Sequence, residues 1–297
     1  MRDIVLYCKS YRADVLRAVR LAKSVERFNA DAIPFYLSVP REDLPLFREH
    51  LPRLADNILS DEDILRANPA IPAAKAVATP GGLMQQVIKS EFWRLGLSDS
   101  YLCLDSDCEF LRPFSVADFL TPGGVPYTLM HESRELHVFF ASRGMERERQ
   151  NYFRLRAAIM QIFGREGRPY DFGPPPFIWS AAVWRVLDER FLKPNGMSYL
   201  DAICCMPSEL LWYGEALLKF RPIELFPIEP LFRFYHYEIQ MEEALAKGED
   251  RELLAKCYLG VVYQSNWERS MDFGRPRKSV LSRTARWIRR HIFHRYW

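Results

Sequence analysis

The chain has 297 residues, 48% of them hydrophobic and 27% charged, and a net charge of +3. That suffices for one large α/β domain, and no apolar run approaches the roughly 18 residues that a membrane-spanning helix needs. Residues 275–297 hold eight Lys/Arg and no Asp/Glu, which leaves −5 on the remainder and argues against a general nucleic-acid binder, whose folded face is basic.

Asp3 to Cys8 reads as a first strand, too short for an export signal. Ala13 to Phe28 follows as an amphipathic helix, with Val15, Val19, Ala22 and Val25 near helical spacing. Ile33 to Val39 alternates like a strand, and Asn57 to Ser60 suits a third. Ala67 to Gly82, rich in Pro, Ala and Gly, reads as a loop. Leu83 to Leu97 is helical, with Met84, Val87, Ile88, Phe92 and Leu95 on one face, and Tyr101 to Leu104 is a buried strand. Strands and helices alternating in this way predict a mostly parallel sheet. The second half is less regular. It offers a strand in Val125 to Met130, a helix over Glu146 to Phe163, and a stiff loop at Gly173-Pro174-Pro175-Pro176 before an apolar run from Phe177 to Val183. A further helix opens at Pro207-Ser208-Glu209 with Ser208 as N-cap, and Tyr258 to Gln264 reads as a late strand. The six cysteines, Cys8, Cys103, Cys108, Cys204, Cys205 and Cys257, form no CxxC pair. Reduced thiols and a cytoplasmic setting follow.

The strongest chemical signal is Asp105-Ser106-Asp107, which ends the apolar strand. Residues i and i+2 of a strand project to one side, so the motif reads as two carboxylates at the rim of the sheet. Open parallel sheets bind ligands at the carboxyl ends of their strands. A paired carboxylate there suits a hard divalent cation that keeps positions free for phosphate.

Three stretches carry a resemblance: Gln85-Gln86-x-x-Lys89, Leu104-Asp105-Ser106-Asp107 running into Phe110-Leu111-Arg112-Pro113-Phe114, and Ser208-Glu209-x-x-x-Tyr213-Gly214-Glu215. Over residues 1–270 the chain resembles a bacterial group of GT-A-like proteins, and more distantly glycosyltransferase family 8. The resemblance implies a GT-A-like, Rossmann-related fold with a mostly parallel central sheet flanked by helices. It implies a nucleotide-sugar donor, UDP favoured, and Mn²⁺ or Mg²⁺ held by Asp105 and Asp107. Asp107 is first choice as direct ligand, and Asp105 is shared between metal and ribose. Family 8 adds a distant histidine ligand; His236 fits that pattern, with His131 and His137 as weaker rivals. Lys89 corresponds to a basic residue facing the donor. Ser106 lies within the donor motif, and Lys9, Ser10 and Tyr11 fill the nucleotide-base loop. An inverting enzyme needs a carboxylate base; Glu209 suits that role, or that of a sugar-holding group in a retaining enzyme. Trp179-Ser180 borders the same pocket or, more plainly, belongs to the core.

The division is a GT-A-like domain over 1–272 and a basic amphipathic tail over 273–297, helical from Lys278 with Leu281, Ala285, Ile288 and Ile292 on one stripe. Such a helix suits an anionic membrane surface, and a lipid-linked or surface-glycan acceptor would match. The alternatives are a non-catalytic GT-A-shaped module that binds a glycan or membrane, and a haloacid-dehalogenase-type phosphatase. The latter prefers Thr or Val where Glu109 stands.

Overall fold

The computed structural model describes residues 2–274, so the helix read in the basic tail lies outside the described residues. The strands, in chain order, are β1 Arg2–Lys9, β2 Phe35–Val39, β3 Ile58–Ser60, β4 Ser98–Asp105, β5 Cys108–Phe110, β6 Thr128–Leu129, β7 Phe177–Ser180, β8 Pro227–Ile228, β9 Phe232–Phe234 and β10 Gly260–Val262. The main sheet has the order β3-β2-β1-β4-β7. Its first four strands in chain order are parallel, and β7 runs antiparallel to β4. A small sheet β5-β10-β9 and the pair β6-β8 complete the strands.

The central strands are apolar on both faces because helices cover both faces. Val5 and Tyr7 of β1, Tyr101 and Cys103 of β4, and Phe177 and Trp179 of β7 join one core with the helices Gly81–Glu91, Ala181–Leu187, Tyr199–Cys205 and Glu209–Phe220. Ile4, Leu6 and Cys8, Leu102 and Leu104, and Ile178 join the other, against helix Val15–Phe28. The period of two therefore assigns each residue beyond a strand's end to a layer before any contact is considered. Trp179, 1% exposed and stacked on Phe177 at 4.9 Å, belongs to the first core.

Several boundaries differ from the sequence reading, each for a local reason. β2 starts at Phe35, because Asn29 holds both the N–H and the carbonyl of Ile33 at 2.9 and 2.8 Å, and Pro34 has no N–H to give. The expected loop 67–82 contains helix Ala73–Ala78, and the next helix starts at Gly81. Pro72 and Pro80 occupy the N-cap positions of these helices, where a missing N–H costs nothing. The run from Phe177 breaks at Ser180, whose Oγ accepts from Ala182 N–H at 3.2 Å and opens helix Ala181–Leu187. Ser208 holds the N-cap position of helix Glu209–Phe220 without a side-chain cap bond. Of the two late strand readings, Thr128–Leu129 and Gly260–Val262 form strands, and Pro126 makes an isolated bridge with Leu120.

The helix Glu209–Phe220 is seated by its own motif residues. Tyr213 Oη accepts from Ser180 N–H at 2.8 Å, and Glu215 forks onto Arg165. Phe172 packs directly on Gly214, where an added Cβ would stand 2.1 Å from the ring. Overpacking of this kind costs about 1–3 kcal/mol. Gly214→Ala should lose about that much stability in urea denaturation; an unchanged midpoint would show that the Phe172 loop yields freely.

Candidate functional site

The chain leaves β1 for β2 and β3, then returns to β4 on the other side of β1. That reversal is a topological switch point, where open sheets form their ligand crevice. The carboxyl ends of β1 and β4 meet there, with Lys9 in register with Asp105. Both continue the odd-numbered face and so enter the layer holding helices Asp61–Arg66, Gly81–Glu91 and Glu209–Phe220.

The result is a row of alternating charges. Lys9 Nζ lies 3.1 Å from Asp61 Oδ2. Lys89 Nζ pairs with Asp105 Oδ1 and reaches Glu209 Oε1 at 3.7 Å. Lys89 is 3% exposed and Glu209 8%. Burial works against the Lys89 charge, but Asp105 and then Glu209 outweigh it and hold the ammonium ionised. Burial pushes Glu209 upward while Lys89 pulls it back. Asp61 is likewise raised by burial, with Lys9 opposing.

Asp107 is placed differently from the strand reading. β4 ends at Asp105, and Ser106 and Asp107 form the turn into β5. The two acids therefore do not share one strand face. Ser106 Oγ donates to Asp14 Oδ2 at 3.4 Å, away from the crevice. Asp107 Oδ2 accepts from Ser265 N–H at 2.8 Å, while Oδ1 is buried without a hydrogen-bond partner. Burial, then the charge of Asp105, raises Asp107 to about 7. Ser10 Oγ and Asp61 Oδ1 are also buried and unpartnered. Tyr11 is 46% exposed at the mouth of the β1 loop.

His236 does not join this group. β10 lies between β5 and β9, with Val262 opposite both Cys108 and Phe234. The charged groups that act on His236 are Asp171, Arg156, His131 and Arg233, with neither Asp105 nor Asp107 among them. Among the described residues no three His, Cys, Asp or Glu gather closely enough to hold a metal. His236 instead packs on Phe234 at 4.7 Å, and burial lowers its pKa to about 4 against the pull of Asp171. Its neighbours form a second polar cluster. Asp171 accepts from Ser133 Oγ at 2.6 Å and Tyr152 Oη at 3.1 Å and pairs with Arg156 at 2.7 Å. His131 Nδ1 accepts from Ser133 N–H at 3.1 Å, and its Nε2 contacts Gly173 O. His137 stacks on Phe153 at 4.7 Å.

Lys89, Asp105 and Glu209 were readable from the sequence, and the fold joins them in one ionic cluster. Asp61 and Ser265 were missed. Asp61 carried a weak signal, an acid directly after a strand; Ser265 contributes a backbone N–H, which leaves no trace in residue type. Surface hollows lined by Arg221–Phe226 and by residues between Phe153 and Pro169 include none of these carboxylates.

A family model described as "Family of unknown function (DUF6492)" matches residues 3–223. The chain belongs to that family. The matched span includes Lys9, Asp61, Lys89, Asp105, Asp107 and Glu209 and ends before His236 and Ser265. No curated protein matches the sequence. Among solved structures, mouse xyloside xylosyltransferase 1 in its apo form is similar at 9% identity and TM-score 0.46, covering 89% of this chain and 98% of that one. The galactosyltransferase LgtC, in complex with donor and acceptor sugar analogues, is similar at 13% identity and TM-score 0.47, covering 94% of this chain and 99% of that one.

The raised Asp107 pKa sets a sign for stability. Its contribution is fully present below the ordinary value of 3.8 and is lost as pH rises through about 7. Asp107→Asn should therefore stabilise the chelator-treated protein at pH 8 by about 2–4 kcal/mol, and the gain should vanish near pH 3. Urea denaturation at both pH values checks this, and an equal effect at both would contradict it.

Proposed function

We propose that the chain is a metal-dependent glycosyltransferase of GT-A layout. It moves a sugar from a nucleotide-sugar donor, UDP favoured by the resemblance, to a glycan or lipid-linked acceptor. The observation that carries this is the unbalanced charge at the switch point. Among the described residues, Asp61, Asp105 and Glu209 are paired with Lys9 and Lys89 alone, and one buried Asp107 oxygen has no hydrogen-bond partner. A bound cation would supply the counter-charge that this oxygen lacks and would offset the burial and the Asp105 repulsion that raise Asp107.

Asp107 through its free oxygen, together with Asp105, fits Mn²⁺ or Mg²⁺. These ions accept one or two protein carboxylates and complete their shell with phosphate and water, so a histidine ligand is not required. When bound, the ion would neutralise charge on the diphosphate leaving group. The remaining roles fall to the chain itself. Lys89 fixes Asp105 and Glu209 and adds positive potential beside the diphosphate. Lys9 at the end of β1, with Ser10 and Tyr11 in the loop after it, would border the base, as the resemblance implies. Glu209 opens a helix beside the Gly173 loop, whose Cβ position lies 3.4 Å from Leu210. Its burial raises its proton affinity, which suits a group that accepts the proton of the acceptor hydroxyl. A non-catalytic module has no use for an unpartnered buried carboxylate oxygen, which costs stability.

A thermal-shift series with nucleoside diphosphates, with and without Mn²⁺, tests the reading. UDP with Mn²⁺ should raise the melting temperature more than either alone, and Asp107→Ala should abolish the gain. Glu209→Gln should keep the shift while donor turnover falls by roughly 10²–10⁴-fold, the usual weight of a general base. A folded wild type that answers to no nucleotide with metal would sink the proposal.

A further inference from the structure

After β10 the chain doubles back as a strap, Tyr263–Phe273, along helix Val15–Phe28. At its start, Tyr263 N–H donates to Asp107 O at 3.1 Å and Ser265 N–H to Asp107 Oδ2 at 2.8 Å. At its end, Phe273 N–H donates to Ala13 O at 2.9 Å. Between these points the strap is held by two arginines. Arg20 forks onto the Glu268 carboxylate at 2.6 and 2.9 Å and lies over the Tyr263 ring at 4.9 Å. Arg17, with no exposed surface, bonds the Asp14 carboxylate and the Glu268 carbonyl and reaches Asp272 at 2.8 Å.

Asp14 closes a circuit. Its Oδ1 takes Arg17, and its Oδ2 takes the Ser106 hydroxyl at 3.4 Å. Arg17 thus holds the Asp105–Asp107 turn from two sides, by Asp14 to Ser106 and by the strap to Asp107. The Ser265 N–H occupies one Asp107 oxygen, and so decides which oxygen is left free.

We propose that Arg17 is a positioning residue for the Asp107 carboxylate, acting through this ionic clamp; the inference rests on Asp107 as a metal-binding group. Arginine suits the task because its planar fork serves several oxygens at once. A lysine supplies the charge without that fork. Groups that orient a metal ligand typically set about 10–100-fold of metal affinity when removed.

Arg17→Lys tests the fork with the charge retained. Asp272→Asn weakens the same clamp from its outer end and leaves Arg17 and Asp14 paired. Hydrogen exchange of the metal-free, full-length protein should show faster exchange across Tyr263–Phe273 in both variants, with β1 and β4 protected as in wild type. Mn²⁺ affinity, followed by the paramagnetic resonance of free Mn²⁺, should fall at least tenfold in both. Unchanged protection of the strap overturns the clamp. A loosened strap with wild-type Mn²⁺ affinity overturns the positioning role. A wild type that binds no Mn²⁺ removes the metal reading and this proposal with it, whereas wild-type binding with unaffected variants removes only this proposal.

Discussion

Lys89 carries its ammonium group in the protein interior, between Asp105 and Glu209. A buried ammonium is tolerated only with close counter-charge, so three elements must converge around it: helix Gly81–Glu91, the end of β4 and the start of helix Glu209–Phe220. The Tyr101 hydroxyl adds a bond to the Lys89 carbonyl at 3.0 Å, tying that helix to β4 below the site. The same convergence leaves negative charge in excess once Asp107 is counted. Removing Lys89 would leave two carboxylates unpaired, which is why the fold and the site cannot be separated here.

The motif Ser208-Glu209 to Glu215 divides its labour. Glu209 faces Lys89, whereas Tyr213, Gly214 and Glu215 engage Ser180, Phe172 and Arg165 and set the helix in place. Phe110-Leu111-Arg112-Pro113-Phe114 is likewise structural: Phe110 stacks on Phe114 at 3.9 Å, and Leu111 N–H donates to Leu259 O at 2.8 Å. These contacts anchor the chain that leaves the Asp turn. Most residues of these motifs thus form the frame around the ionic cluster.

The second polar cluster, around Asp171, is internally satisfied. Burial would raise its carboxylate, but the Arg156 guanidinium, the Ser133 hydroxyl and the neighbouring His131 outweigh it and hold the pKa at about 2. Asp107 faces the same burial with a single N–H donor and the repulsion of Asp105, and it moves the opposite way. Two aspartates of similar exposure, 7% and 8%, therefore differ only in their company. The contrast lies in the partners: a guanidinium and hydroxyls for Asp171, one backbone N–H for Asp107.

Local pattern in the sequence determined much of the scaffold. Two-sided apolar runs define β1 and β4, helical spacing defines Val15–Phe28 and Glu146–Phe163, and strand alternation followed by Asp-x-Asp puts carboxylates at a sheet edge. These depend on neighbours along the chain, and a single sequence records them, although of the two motif acids only Asp105 ends the strand. Tertiary structure alone decided the rest. Asp105 and Asp107 lie on either side of a turn because β5 leaves for another sheet. His236 packs on Phe234 and has Asp171 and His131 as charged neighbours. The strap brings a backbone N–H from residue 265 to Asp107, across 158 positions of sequence, and two arginine-bound acids to helix Val15–Phe28. Backbone donors, strand order and the partner of a buried charge are properties of chain segments meeting in space, and residue type along the chain does not encode them.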